Sequence, residues 1–182
     1  INTNKLKTLA WTRPIEKSND GLTIYEKPKE GHKYFMTIDT SRGLGKDYSA
    51  FVVVDCTEMP YKPVVVYRNN IIAPMVFPTI IHAVAKRYNE AYVDHILMST
   101  SLGRSGQVIN GGFGGRGKSA LGVKMTAPIK KVGCSVLKSF IEEDKLLIED
   151  SDIIQELTTF VAKRQSFEAD DGHTDDLAMC LV

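Results

Sequence analysis

Cysteine is scarce in this chain: Cys56, Cys134 and Cys180 are odd in number and far apart. That spacing fits neither a disulfide framework nor a zinc site, and it makes a reducing cytoplasm the default setting. No apolar run approaches the ~18 residues needed to span a bilayer, and no basic-then-apolar leader opens the sequence. No membrane association is expected. The first residue is Ile1 rather than Met, which predicts a fragment or a processed piece. An excess of one charge is missing overall, with a net of +1. Locally it is not missing. Between His95 and Ile141 there is no Asp or Glu, while Arg104, Arg116, Lys118, Lys124, Lys130, Lys131 and Lys138 all fall there. The acids gather in 142–152 and 168–176. A basic segment beside acidic clusters fits a polyanion-binding face next to a metal site, and equally a solvated surface with chance clustering. Charge alone leaves both open.

What is present is an ordinary globular composition for one domain, 182 residues with 43% hydrophobic, long enough to bury a core. Residues 1–33 read as a polar lead-in with one short strand candidate, Gly21 to Tyr25. The pattern then sharpens. Tyr34–Asp39, Ala50–Asp55 and Val64–Arg68 read as three strands with short Gly- and Pro-bearing connections, which predicts an antiparallel meander. The first two are almost wholly apolar, so both of their faces should be covered. Phe77, Ile80, Ile81, Val84 and Tyr88 share one helical face, with Pro78 tolerable in the first turn. Strand material follows at 91–98. A helix from about Pro128 to Asp144 should bury Ile129, Val132, Val136, Leu137, Phe140 and Ile141, with Lys130 and Lys131 on its polar side. Leu146 to Ile148 reads as a short strand. Ser151 or Asp152 should cap a helix burying Ile153, Ile154, Leu157, Phe160 and Val161. A last apolar helix starts at Asp175. This order suits an α/β, ribonuclease H-like fold: a central mixed β-sheet flanked by helices on both faces, with an added β-hairpin.

The stretch GGFGGRGKS, Gly111 to Ser119, satisfies G-x-x-x-x-G-K-[ST] from Gly112 onward. A phosphate-cradling loop must leave a buried strand and open a helix. Here Leu121, Val123 and Met125 alternate with Gly122, Lys124 and Thr126, a strand period closed by Pro128. The better reading is a glycine-rich tip of a basic hairpin, about 104–127, that carries Arg116 and Lys118 outward.

Two places could hold chemistry. Asp39 ends an apolar strand, where a carboxylate is costly to bury unless it is paired or binds a metal. Turn capping explains it equally well. Asp47 lies in the same connection and could face the same site. Asp175 and Asp176 sit side by side at a helix start, which capping and the helix dipole already favour. In combination, an acid on the first core strand and an acid pair on the last helix form the two ends of a two-metal constellation. Phosphodiester hydrolysis needs several carboxylates converging on hard cations; two Mg²⁺ or Mn²⁺ about 4 Å apart activate water and stabilise the leaving oxyanion. Asp176 is the better ligand candidate of the pair, because it lies one step further into the helix than the capping position. His173 reads as a surface residue or a support to a ligand rather than a ligand.

Three segments carry a family likeness: GHKYFMTIDTSRGLGKDYSAFVVVD (31–55), KKVGCSVLKSFIEEDKLLI (130–148) and GHTDDLAMCLV (172–182). The chain resembles, over nearly its whole length, the C-terminal nuclease domain of the large terminase subunit of tailed bacteriophages, myovirus type. The resemblance implies a nuclease domain at 34–182, with Asp39 as the first metal ligand, Asp175/Asp176 as the last and Asp47 nearby. It also implies that the ATPase is a separate N-terminal domain absent here, so GGFGGRGKS is not its phosphate loop. A cationic hairpin beside a nuclease site would contact DNA phosphates. The phage portal and the small terminase subunit are the implied partners, and the host cytoplasm is the implied setting.

One departure matters. The family places a second acid at the end of the strand after the first long helix, whereas Val93 here runs straight into Asp94 and no such Glu follows. Two parallel strands need a connection of a dozen or more residues. The reading is that a segment on the order of twenty residues is missing between Val93 and Asp94 and carries that acid. Its alternative is one continuous strand from Ala91 to Met98 with Asp94 as the second ligand. The expected function is a metal-dependent endonuclease cutting double-stranded DNA during phage genome packaging, with Arg104, Arg116, Lys118 and Lys124 on the backbone. Its rivals are another ribonuclease H-like nuclease, of resolvase or transposase type, and a non-catalytic DNA-binding module.

Overall fold

The computed structural model describes residues 1–41, 44–88, 97–98, 125–163 and 166–182. Three apolar strands form the centre: β3 (Tyr34–Asp39), β4 (Ser49–Asp55) and β5 (Lys62–Asn69), paired antiparallel as the expected meander. The lead-in adds β1 (Glu16–Lys17) and β2 (Leu22–Ile24), with β2 antiparallel to β5. On the other edge β6 (Leu97–Met98) runs parallel to β3. The six-stranded sheet therefore has the order β1-β2-β5-β4-β3-β6 and is mixed.

Alternation along the strands sends residues to two cores. Met36, Ile38, Phe51, Val53, Val65 and Tyr67 face α2 (Phe77–Arg87), which contributes Phe77, Ile81 and Val84. Ala50, Val52 and Val66 face α3 (Ala127–Glu142), α4 (Ser151–Thr159) and α5 (Asp176–Leu181). Both faces of β4 are thus covered, as its near-continuous apolar run demands. A short α1 (Thr3–Leu6) precedes the sheet. Among the described residues no helix is long and apolar enough to cross a membrane.

Several expectations need correction. Helix α3 buries Cys134, Leu137 and Ile141, while Ile129, Val132 and Val136 are 44%, 65% and 50% exposed. Apolar residues circle most of this helix, so periodicity does not choose the buried face. Close approach does: a Cβ on Gly133 would lie 2.3 Å from the Val182 carbonyl oxygen, so the Gly133 side must face the end of α5. Leu146 makes a single parallel bridge to Tyr61 instead of belonging to a strand. The cap of α4 is Asp150, in extended geometry, whose side chain accepts from the Ile153 N–H at 2.8 Å. Ser151 and Asp152 are already inside the first turn. The helix stops at Thr159, and Phe160 and Val161 open β7 (Phe160–Lys163), which pairs antiparallel with β8 (Ser166–Ala169).

Gly21 sits at φ +101°, and a Cβ there would lie 2.1 Å from the Arg68 carbonyl oxygen. Gly21→Ala should therefore lower stability by about 3 kcal/mol through combined backbone strain and overpacking. Urea denaturation checks this: the midpoint should fall with the slope unchanged. A midpoint at the wild-type value would show that the turn relaxes freely.

Candidate metal centre

The register of the sheet sets the site. Asp39 of β3 lies opposite Ala50 of β4, which lies opposite Arg68 of β5, so the three side chains share one face. Ala50 is fully buried and small. Helix α5 lies over the same face, where Leu177, Ala178 and Cys180 pack with Ala50. The backbone of Asp39 bonds to the Cys180 sulfur, which ties the end of β3 to α5.

Asp176 occupies the first turn of α5 and is buried. Its carboxyl is pushed up to about 7, first by burial and then by the negative charges of Glu156, Asp39 and Asp175, with Arg68 opposing. The structure therefore brings Asp39 and Asp176 into one electrostatic neighbourhood. Asp175 is turned differently: its Oδ2 lies 3.5 Å from the Lys130 ammonium of α3, which also sits 5.6 Å from the Phe160 ring centroid. Asp47 stays exposed on the connection between β3 and β4, and Lys131 is exposed on α3. His173 is exposed and donates its backbone N–H to the Asp170 carbonyl. Arg104, Arg116, Lys118 and Lys124 lie outside the described residues, as do the basic hairpin tip and the joint between Val93 and Asp94.

Reading the sequence for acids missed Glu156. It is 2% exposed, on the inward side of α4 between Ile153 and Leu157. One carboxylate oxygen accepts from the N–H groups of Leu177 and Ala178, at 2.8 and 2.9 Å. The other accepts from the Thr174 hydroxyl at 3.2 Å and lies 3.6 Å from Arg68 Nη2. Burial still raises its pKa, against those stabilising contacts. The signal was available: a glutamate three residues after Ile153 and one before Leu157 falls on the buried stripe. Arg68 completes the group, donating to Thr174 Oγ1 at 2.5 Å with its guanidinium 3.9 Å from the Tyr48 ring centroid. Tyr48, Arg68, Gln155 and His173 line a polar pocket of about 190 Å³ beside these residues.

Carboxylate oxygens are hard donors and suit a hard cation. Mg²⁺ is commonly held through one or two carboxylates and keeps several waters, so Asp39 and Asp176 fit as its protein ligands. Among the described residues no group of three or more His, Cys, Asp or Glu is placed to hold a metal ion.

A family model described as Terminase RNaseH-like domain matches residues 36–181, from β3 through α5. The chain belongs to that family. Solved structures agree on the fold of this terminase domain. The large terminase nuclease from thermophilic phage G20c superposes with a TM-score of 0.78 at 18% identity, over 97% of this chain and 92% of that one. The same nuclease with bound magnesium gives 0.71 at 19% identity, over 97% and 92%. The large terminase nuclease domain of Thermus phage P74-26 gives 0.72 at 22% identity, over 97% and 90%. The terminase domain thus has the ribonuclease H-like architecture expected from its element order.

Proposed function

We propose that this terminase domain is a divalent-metal-dependent endonuclease that cuts double-stranded DNA during phage genome packaging. The observation that supports the reading is that α5, with Asp176 in its first turn, packs over the face of the sheet that bears Asp39. Asp39 and Asp176 would hold Mg²⁺ or Mn²⁺, in a two-metal site, with Asp175 and Asp47 as further acids at its margin. Bound cations supply an activated water and charge stabilisation for the leaving oxyanion. The carboxylates offer hard oxygens in a half-dry setting, Asp176 buried and Asp39 half-buried. Lys130, beside Asp175, and Lys131 offer cations to DNA phosphates, together with Arg104, Arg116, Lys118 and Lys124. The magnesium-bound relative supports the choice of ion class. In this reading an N-terminal ATPase domain, the portal and the small terminase subunit are the partners, in the host cytoplasm.

Plasmid nicking tests the proposal. Supercoiled DNA with the chain and Mn²⁺ should become nicked and then linear, and EDTA should stop the reaction. A chain that binds DNA and never cuts it would instead be a non-catalytic binding module.

The basic hairpin makes a separate prediction. Replacing Arg116 and Lys118 with Ala removes two phosphate contacts, so the slope of log affinity against log salt should shrink by roughly 0.9 per contact. An unchanged slope would remove the hairpin from the DNA interface. Micromolar ATP binding that disappears in Lys118→Ala would restore the phosphate-loop reading of Gly112 to Ser119.

A further inference from the structure

The N-cap position of α5 belongs to Asp175, yet its side chain makes no capping hydrogen bond. An N-cap aspartate ordinarily accepts from the N–H groups two or three residues into the helix. Those groups here belong to Leu177 and Ala178, and both donate to a single oxygen of Glu156. The cap of α5 is therefore supplied by another helix, α4. The second oxygen of Glu156 is engaged too, by the Thr174 hydroxyl, which accepts in turn from Arg68. One carboxylate thus joins α4, the turn before α5 and, through Arg68, strand β5.

This arrangement costs more than a local cap would. It places a second buried carboxylate beside Asp176, with the half-buried Asp39 nearby, against the repulsion those charges already exert. Asp175 stands at the N-cap with φ −132° and ψ 16°, outside the extended geometry from which an aspartate caps, so α5 takes its cap from Glu156 instead. What the substitution achieves is release. Asp175 is freed to lie 3.5 Å from Lys130, and the Asp176 step is clamped through its next two backbone N–H groups.

We propose that Glu156 is a positioning residue for the metal site: it caps α5 from outside and thereby holds Asp176 beside Asp39, so that Asp176 is not drawn into capping and stays available to a divalent cation. The inference rests on the metal-dependent nuclease reading. Glu156 itself need not touch the cation; it acts through the backbone of α5, as outer partners of metal ligands do.

Mn²⁺ titration by calorimetry, on wild type, Glu156→Ala, Glu156→Gln and Asp150→Ala, tests it. Asp150 is the control: it is buried and caps the far end of the same helix, and its hydrogen bonds go to Ile153 and Tyr25 rather than to α5. Glu156→Ala should weaken Mn²⁺ binding roughly 10- to 100-fold. Glu156→Gln keeps one acceptor oxygen for the two N–H groups, stays folded and should weaken binding less. Asp150→Ala should bind Mn²⁺ close to wild type despite a lower melting temperature. High Mn²⁺ should restore much of the plasmid nicking lost in Glu156→Gln, because the ligands themselves are intact. Should Glu156→Ala fail to fold, the Gln variant decides. Wild-type Mn²⁺ affinity in Glu156→Gln, or an equal loss in Asp150→Ala, overturns the positioning role while the metal reading stands. No Mn²⁺ binding by wild type takes down both, and the wild-type titration alone tells these outcomes apart.

Discussion

Asp176→Asn should abolish DNA cleavage and, in the metal-free protein, raise stability at pH 8. The loss of cleavage follows from the proposed role: the amide keeps the shape and removes the charge that holds the cation. Asp39→Asn should do the same. The gain in stability follows from burial. The folded carboxyl titrates at about 7, well above its ordinary 3.8, because it is buried among like charges. Between those two values the native state keeps a proton that the unfolded chain has released. Wild-type stability must therefore fall as pH rises through that window, and the asparagine variant escapes the fall. At pH 8 the variant should be more stable by an amount on the order of 2–4 kcal/mol in EDTA. Urea unfolding at pH 5 and pH 8 measures it, and the advantage should be smaller at pH 5. Near wild-type cleavage in both asparagine variants would remove the metal assignment, and a variant less stable than wild type at pH 8 would show that Asp176 is held by contacts that welcome its charge.

The second large effect is the response to metal. A ligand that binds only the folded state stabilises by RT ln(1 + [L]/Kd), about 2.7 kcal/mol at a hundredfold excess over Kd. Mn²⁺ should stabilise the wild type by about that free energy and so raise its melting temperature, and EDTA should reverse the rise and stop cleavage together. Relief of the crowding around Asp176 is the physical source, so the rise should vanish in Asp39→Asn and Asp176→Asn. A full rise in either variant would move the ion to another acidic cluster, such as Glu168 to Asp171, whose carboxylates already gather around Lys163.

The strands were legible because their chemistry is one-sided. An apolar run of strand length ending at Asp39 has few alternatives, and β3 spans Tyr34–Asp39 as its pattern predicts. Helix α2 begins at Phe77, where the apolar spacing and Pro78 put it. The buried face of α3 was not legible, since a helix apolar on most sides leaves the choice to its neighbours. Phe160 and Val161 continue the spacing of α4, and only pairing with Ala169 and Glu168 turns them into a strand. Within the site, two aspartates stood out as a pair. Glu156 did not, because a charged residue inside a helix ordinarily faces water; its place on the stripe of Ile153 and Leu157 was the one signal, and the α5 backbone groups it holds are encoded by no side-chain pattern.

A crystal of the wild-type chain soaked in Mn²⁺ tests the centre most directly, by its anomalous difference map. The expected result is a peak coordinated by carboxylate oxygens of both Asp39 and Asp176, with a second about 4 Å away for the two-metal site. Saturating Mn²⁺ that leaves the space between Asp39 and Asp176 empty while occupying other acids would contradict it.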